Sequence, residues 1–574
     1  MMKAAVESLC DIRTALNEGQ DYNALYDTYQ WALPESMNVA ELVCERHANG
    51  QGNVALIAES EQGNKSVYSF DQLSACASRL AAVMLNAGVR RGDRVAVILP
   101  QRVETAILHL AAQRIGAISL PLSILFGDEA LQYRLENSGT TFLVVANQRA
   151  SLINSLRDCL PDLQNVLIVV EEEPVSVDDN GCVNHIDNTS TENSFWHRLN
   201  EVEPHTETIA LTPDDPAFLL YTSGTTGPPK GALIPQRALL GNLTGFECSH
   251  NGFPCADDVV FTPADWAWTG GLLDALLPAW YYGVTVVALD YKKFNTEMVL
   301  SLMSRHRVTC AFIPPTALKI IRSDFSATKK PPLALRSIMS AGETVGEALF
   351  EWAKDELAVP VHEMCGQTEH NYLMGNCSAL TVVKPGSMGK AYPGHRVAIM
   401  GADGELLGDG EAGEIVAHKD DPVHFLGYWN NPEATEKKYT GPWFHTGDVG
   451  HRDNEGYLWF HGRADDVINS AGYRIGPGEI ENCALRHDAV LQAAAIGVPD
   501  PDGIRGDVIK LCVVLREGNS ATDELRNSLQ AHIREHLAAY EYPRIVEFIE
   551  QLPMTTTGKI QRNLLRQNHL SNRE

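Results

Sequence analysis

The stretch "FLLYTSGTTGPPKGALI" (218–234) carries three glycines, four hydroxyl residues, two prolines and a lysine behind an apolar run. Glycine lets backbone N–H groups come close to an anion. Thr222, Ser223, Thr225 and Thr226 add hydroxyl donors, and Lys230 adds a positive charge. These residue types suit phosphate. The nucleotide loop of P-loop NTPases, however, ends in Gly-Lys followed by Ser or Thr at a helix N-terminus. Here two prolines precede Lys230 and Gly231 follows it, so that reading fails on spacing and another phosphate chemistry is required.

Five further stretches concentrate residues of the same kind. "MSAGET" (339–344) and "HEMCGQTEH" (362–370) put small and polar residues after apolar runs, and "WFHTGD" (443–448) ends in a carboxylate. "GRADDVINSAGYRIGPGEIE" (462–481) is dense in glycine and charge, and "PMTTTGKIQR" (553–562) presents Lys559 from a polar segment. Taken singly, each has a plainer reading. Glu369 reads as a surface acid, Asp448 as a turn residue after glycine, Asp465–Asp466 as a helix start or solvated turn, and Lys559 as a solvated lysine.

Together and in this order, the six stretches resemble the adenylate-forming (AMP-binding) superfamily. That group comprises acyl- and aryl-CoA synthetases, the adenylation domains of peptide synthetases and luciferase-like enzymes. The resemblance runs from "LVCERHA" (42–48) to the terminal lysine motif, and its pattern is most similar to short- and medium-chain acyl-CoA synthetases. It implies an enzyme that joins a small carboxylic acid to AMP from ATP, releases pyrophosphate, and passes the acyl group to coenzyme A. Because carboxylate and triphosphate repel, such a site must neutralise charge and fix geometry.

The resemblance assigns roles residue by residue. Thr222, Ser223, Gly224, Thr225, Thr226, Gly227 and Lys230 would hold the β- and γ-phosphates, with Thr225 counted among the catalytic groups. Gly342, Glu343 and Thr344, with Glu363, Met364, Cys365, Gly366, Gln367 and Thr368, would line the nucleotide. Asp448 would accept from the ribose hydroxyls, and Arg463 would touch ribose or phosphate. Glu369 would carry Mg²⁺, a hard ion suited to carboxylate and phosphate oxygens. Lys559, a flexible point charge, would meet the charge that develops during adenylation. Arg474 would add to the converging cations. Trp268, Gly270 and Gly366 would shape the acyl pocket, Gly472 would leave room for the pantetheine arm of CoA, and Asp465 would be the hinge. Acetyl-CoA synthetases carry tryptophan at the position of Gly366, which implies a pocket here for acids of about four to eight carbons, at up to about 0.8 kcal/mol per buried methylene. Asp265 lies where amino-acid adenylation domains keep an Asp for the substrate amine. The alternative kept beside this reading is an adenylating ligase that uses another acceptor, a carrier-protein thiol or an amine.

The elements that must position these groups follow from apolar patterning. "RVAVILP" (94–100), "FLVVA" (142–146), "NVLIVV" (165–170), "VTVVAL" (284–289) and "VTCAFIPP" (308–315) lack alternation, which predicts strands covered on both faces in parallel α/β sheets. "SFDQLSACASRLAAVMLNAG" predicts a helix capped by Ser69 and ending near Gly88. The acidic, Asn/Ser/Thr-rich segment 171–207 reads as an exposed excursion. After residue 385, glycine-punctuated short strands predict a β-rich subdomain, and from about 465 a βα unit ends in the helix "ATDELRNSLQAHIREHLAAY". The expected organisation is α/β. A large N-terminal domain (1–464) holds parallel sheets and the β-rich part, and a small mobile α+β domain (465–574) carries Lys559.

Bulk properties restrict the partners. At 574 residues the chain exceeds one core, and its formal charge of −27 argues against nucleic acid or an anionic membrane. The twelve cysteines show no zinc spacing and read as free thiols of a reducing cytoplasm. The longest apolar stretch, 270–289, is broken by Asp274, Pro278 and Gly283 and predicts a buried helix, a turn and a strand, with no membrane span. A cytoplasmic location is expected. Self-association as a homo-oligomer is left open, and a lysine acetyltransferase acting on Lys559 is a candidate partner.

Overall fold

Ser69 stands at the start of the Phe70–Asn86 helix and forms a capping box with Gln72. The Gln72 N–H donates to Ser69 Oγ at 3.1 Å, and the Ser69 N–H donates to Gln72 Oε1 at 3.0 Å. The chain leaves through Gly88 at φ +92°, a conformation glycine adopts without penalty. In the computed structural model the described residues are 14, 21–170, 173–183, 193–222, 228–325, 330–464, 466, 468–470, 473–500, 507–537, 541–555 and 559–571. They form two compact units, Met1–Arg396 with Lys419–Lys437, and Val397–His418 with Lys438–Glu574.

The five apolar runs all become strands of the first unit. One sheet has seven strands, and its order is Gly427–Tyr428, Lys230–Pro235, Pro216–Thr222, Ile118–Pro121, Arg94–Ile98, Thr140–Ala146 and Asn165–Val169. From Pro216–Thr222 inward it is parallel, and the two outer strands on the glycine-loop side are antiparallel. The second sheet has nine strands. Its parallel centre runs from Val54–Ser60 through Thr285–Asp290, Val259–Phe261, Cys310–Phe312 and Ser337–Ala341 to Val361–Gln367. Antiparallel strands close both edges. The Val103–Arg114 helix is buried along its whole length, as covered α/β layers require.

Two expectations about the apolar and acidic stretches resolve differently. Residues 270–289 do become short helical turns ending at Tyr281 and the Thr285–Asp290 strand. No helix among the described residues is long and apolar enough to cross a membrane. The 171–207 segment is not simply an exposed excursion. Its Phe195–Asn200 helix buries Phe195, Trp196 and Leu199 completely, and the Trp196 indole N–H donates to the buried Glu104 at 3.0 Å. The two large aromatics outweigh the polar composition around them.

The second unit is smaller and mixed α/β. A five-stranded antiparallel sheet is built from Val397–Met400, Gly413–His418, Tyr439–Thr440, Trp443–Arg452 and Leu458–Arg463. A three-stranded sheet (Val490–Pro499, Asp507–Leu515, Ile545–Phe548) packs with the helices Pro477–Leu485, Asp523–His536 and Arg562–Ser571. By packing, most of the 397–464 segment goes with the C-terminal elements.

Candidate functional site

The Pro216–Thr222 and Lys230–Pro235 strands pair so that Thr222 lies opposite Lys230, and the Thr222 hydroxyl donates to the Lys230 carbonyl at 3.4 Å. The glycine loop therefore lies between two paired strands of the seven-stranded sheet, next to its Gly427–Tyr428 edge. Ser223, Gly224, Thr225, Thr226 and Gly227 lie outside the described residues. A Cβ at Gly231 would come 2.9 Å from the Leu219 side chain and 3.3 Å from Trp429, so a larger residue there would push neighbours aside. The Lys230 ammonium sits 5.3 Å from the centroid of the Tyr428 ring.

The Tyr428 hydroxyl donates to Glu369 Oε1 at 2.6 Å. Glu369 belongs to a two-residue turn, because Gln367 pairs with His370 across the Val361–Gln367 and His370–Gly375 strands. Its carbonyl accepts from the Phe425 N–H at 3.0 Å, and the residue is only 9% exposed. Among the described residues, no group takes its second carboxylate oxygen. Lys230 and Glu369, far apart in sequence, thus meet on one tyrosine.

Behind this turn lies a buried polar network. His395 Nδ1 donates to Asp421 Oδ2 at 2.8 Å, His370 Nε2 lies 3.5 Å from the same oxygen, and His370 and His424 share a 2.8 Å Nδ1–Nδ1 hydrogen bond. Burial alone would raise the Asp421 carboxyl, yet His395 and His370 hold it well below the usual carboxylate range. Burial pulls His370 and His424 down. The network ties the turn to the segment that carries Tyr428.

Gly342–Thr344 follow the Ser337–Ala341 strand, whose Ala341 pairs with Met364 in parallel register. Two of the stretches expected to line a nucleotide are thereby adjacent, at the carboxyl ends of parallel strands where α/β sheets bind ligands. Gly342 has φ +98°. Glu343 accepts from the Thr316 hydroxyl at 3.1 Å and lies 3.5 Å from Lys319 Nζ. Glu363 is buried and accepts from the Val345 N–H at 3.2 Å. Burial pushes its carboxyl up to about 8 against that bond. Met364 is buried, while Cys365 and Gln367 are partly exposed. Thr368 shares the turn with Glu369.

The acyl-pocket candidates have tight surroundings. A Cβ on Gly366 would lie 2.6 Å from the Tyr372 backbone nitrogen and 3.0 Å from the Asn371 carbonyl carbon. Close backbone approach at an irregular point of the hairpin is thus one reason for a glycine here. On Gly270 a Cβ would lie 2.5 Å from the Phe312 ring. Trp268 stands edge-on to Phe126, with centroids 5.5 Å apart. Asp265 is occupied, accepting from the Ser123 hydroxyl at 2.8 Å and the Ala267 N–H at 2.9 Å, so it caps a local turn. Asp274, in the π-helical turn Leu272–Leu276, is fully buried, accepts from Asn371, and is pushed by burial up to about 7.

In the second unit, Asp448 and Arg463 are register partners on antiparallel strands and form a 2.8 Å ion pair. Arg463 also donates to the Thr446 carbonyl at 3.1 Å. Arg474 pairs through its strand with Asn469, and its side chain lies outside the described residues, as do Asp465 and Gly472. Lys559 is exposed. Its N–H donates to the Thr555 hydroxyl at 3.0 Å, and its carbonyl accepts from the Thr555 N–H at 2.8 Å. Just beyond it, Arg562 bonds Glu481 at 2.8 Å and reaches Asp466 at 3.4 Å, fixing the segment that follows the lysine.

Comparison with known proteins matches the chain to a family. The model for the AMP-binding enzyme covers residues 44–429, and that for the AMP-binding enzyme C-terminal domain covers 479–559. The chain belongs to the AMP-binding enzyme family. The mitochondrial acyl-coenzyme A synthetase ACSM4 of Rattus norvegicus is 32% identical over 93% of this chain and 91% of its own length. The uncharacterized acyl-CoA ligase YtcI of Bacillus subtilis is 31% identical over 93% and 96%. Among solved structures, the acyl-CoA synthetase of Brucella canis is 29% identical with a TM-score of 0.72, over 96% of this chain and 100% of its own. The anthranilate CoA ligase AuaEII, in complex with anthranoyl-AMP, is 27% identical with a TM-score of 0.83, over 94% and 99%.

As a member of the AMP-binding enzyme family, the protein is an AMP-forming acid–thiol ligase of the acyl-CoA synthetase class, with ATP and coenzyme A as co-substrates. Its large mixed-sheet N-terminal part and smaller C-terminal part fit that family. The motifs of the sequence lacked Tyr428, Asp421, His395 and His424. His424 and Tyr428 lie in "PVHFLGYWN" (422–430), an aromatic run with no spacing that points to phosphate.

Proposed function

We propose that the protein activates a short- to medium-chain carboxylic acid in two half-reactions and delivers the acyl group to free coenzyme A. In the first, the carboxylate attacks the α-phosphorus of ATP, and the bond to the β-phosphate oxygen breaks, releasing pyrophosphate and leaving the acyl-adenylate. In the second, the CoA thiolate attacks the acyl carbon and AMP departs. The supporting observation is the meeting of Lys230 and Glu369 on Tyr428, beside the carboxyl ends of parallel strands.

In this reading the 222–227 loop and Lys230 receive the β- and γ-phosphates, and Thr225 donates within that loop. Gly342–Thr344 and Glu363–Thr368 line the adenosine. Asp448, aligned by Arg463, accepts from the ribose hydroxyls, and Arg474 adds positive charge. Glu369 fits a magnesium ligand, since it is a shielded carboxylate with one oxygen steadied by Tyr428. When bound, Mg²⁺ would neutralise part of the triphosphate charge. Lys559 stabilises charge developing between carboxylate and α-phosphate. Trp268 and Gly270 border the acyl group, Gly472 the pantetheine arm, and Asp465 is the pivot. Asp265 already holds Ser123 and Ala267, so an amino-acid amine finds no ready partner there.

Pyrophosphate exchange across a panel of carboxylic acids, followed by CoA-dependent AMP release, tests the proposal. Exchange strongest with acids of about four to eight carbons, where each methylene is worth about 10- to 200-fold at most, is the expected outcome. Exchange that proceeds while free CoA never accelerates AMP release would transfer the acceptor role to a carrier-protein thiol or an amine.

A further inference from the structure

The second unit holds a cluster that adenylate chemistry does not use. Cys483 lies on the Pro477–Leu485 helix, and His532 and His536 lie one turn apart on the Asp523–His536 helix. The Cys483 thiol and one ring nitrogen of each histidine all lie within 4.8 Å of one another. An i, i+4 histidine pair puts both imidazoles on one face, and the facing helix brings the thiol. The three residues grade from buried Cys483, through partly buried His532, to exposed His536, which gives an ion a path from solvent.

A backbone carbonyl engages one nitrogen of each ring. One nitrogen of His532 bonds the Cys483 carbonyl at 3.2 Å, and one of His536 bonds the His532 carbonyl at 2.8 Å. A ring that donates from one nitrogen to a carbonyl keeps a fixed tautomer and the lone pair of its other nitrogen. A third imidazole, His487, stands edge-on to His532 with centroids 5.5 Å apart, and its Nε2 is engaged by the Ser528 hydroxyl at 3.1 Å. Arg486 and Glu541 are the charges that act on the thiol, one of each sign.

We propose that Cys483, His532 and His536 form a binding site for a borderline divalent transition ion of the zinc type, with water completing the coordination, since both nitrogens of His487 are engaged by Ser528 and the Ala489 N–H. Zn–N bonds of about 2.0–2.1 Å and a Zn–S bond of about 2.3 Å hold tetrahedral ligand atoms about 3.4–3.6 Å apart. The cluster therefore needs to close by about 1 Å, within side-chain adjustment. Thiolate with imidazole is the donor set that zinc prefers over the hard magnesium ion used with ATP. Binding would release the thiol proton and clamp the two helices together. The Pro477–Leu485 helix also carries Glu481, which anchors Arg562 just beyond Lys559.

The test uses the full-length protein freed of metal, titrated with Zn²⁺ against a chromophoric chelator and separately with Co²⁺. One equivalent of Zn²⁺ should be taken from the chelator and should raise the melting temperature, and the Co²⁺ form should show thiolate-to-metal charge-transfer absorption. Cys483→Ser should lose that band, and both Cys483→Ser and the exposed His536→Gln should weaken Zn²⁺ about 10- to 100-fold. The exposed thiols Cys159 and Cys255 are untouched by these changes, so they cannot account for such losses. Failure to compete for one equivalent, or affinity and band unchanged in both variants, would overturn the site.

Discussion

Tyr428 joins the two charges on which the proposed adenylation depends. Its hydroxyl steadies Glu369 and its ring faces Lys230. Tyr428→Phe keeps the ring and removes the bond to the carboxylate, an interaction worth about 1.5–3 kcal/mol when one partner is charged. Pyrophosphate exchange should fall about tenfold or more and demand more Mg²⁺, while transfer from a supplied acyl-adenylate to CoA stays unchanged. An unaltered Mg²⁺ dependence would take the positioning role from Tyr428. Lys559 acts differently, since its exposed side chain is held at the backbone by the paired bonds to Thr555. Lys559→Ala should lose on the order of 10²- to 10³-fold in adenylation, as for one lost stabilising donor, and spare the thioester step. Equal losses in both half-reactions would contradict its assigned role.

Strands and turns decide what may stand near the acyl group. The Gly366 backbone lies so close to Tyr372 and Asn371 that Gly366→Ala, with a single added methyl, should cost about 1–3 kcal/mol through overpacking. Activity should then fall alike for every acid. A variant of normal melting temperature that rejects only the longer acids would restore Gly366 to the pocket. The Leu272–Leu276 turn makes a pH prediction through Asp274, whose carboxyl burial raises to about 7. Between about pH 4 and pH 7 the folded state binds a proton that the unfolded chain has released, so this group's contribution to stability falls as pH rises. Relative to wild type, Asp274→Asn should gain roughly 3 kcal/mol between about pH 5 and pH 7.5, at about 1.4 kcal/mol per unit, measured by urea unfolding. A pH-independent difference would mean that Asp274 is already ionised. These elements differ in how far the sequence revealed them. The unalternating runs and the Ser69 cap are local signals, and they became the strands and helix expected. The glycine loop, the Gln-Thr-Glu stretch and the lysine motif could be singled out because each is a short contiguous word, and their proposed roles await the tests above. Tyr428, Asp421 and Asp274 were not, because their roles arise from partners that only the sheets bring near. The buried Phe195–Trp196 pair was hidden by its polar neighbours for the same reason.

At the scale of the whole molecule, the two half-reactions proposed above would have the chain rearrange between them, with residue 465 as the proposed pivot. Before it, Arg463 is tied at 2.8 Å to Asp448 on the five-stranded sheet. After it, Asp466 is tied to Arg566 at 2.8 Å and Arg562 at 3.4 Å, both on the terminal helix beyond Lys559. Each flank is thus anchored to a different element, and rotation about the residue between them would carry the lysine segment while leaving Asp448 and Arg463, the proposed ribose contacts, in place. The Gly476 backbone lies against the His461 carbonyl so closely that a Cβ would come within 1.7 Å of it, so a swing must part this contact. Asp465→Pro fixes φ near −65° and stiffens the junction. If the frozen pose is the adenylating one, pyrophosphate exchange should persist near wild-type rates while CoA-dependent AMP release collapses. Gly476→Ala, which disfavours the contact with His461, should change the ratio of the two half-reactions without abolishing either. Normal overall turnover in Asp465→Pro would place the pivot elsewhere in the chain, and an equal loss of both half-reactions would show that proline had damaged the fold around Arg463 rather than its motion.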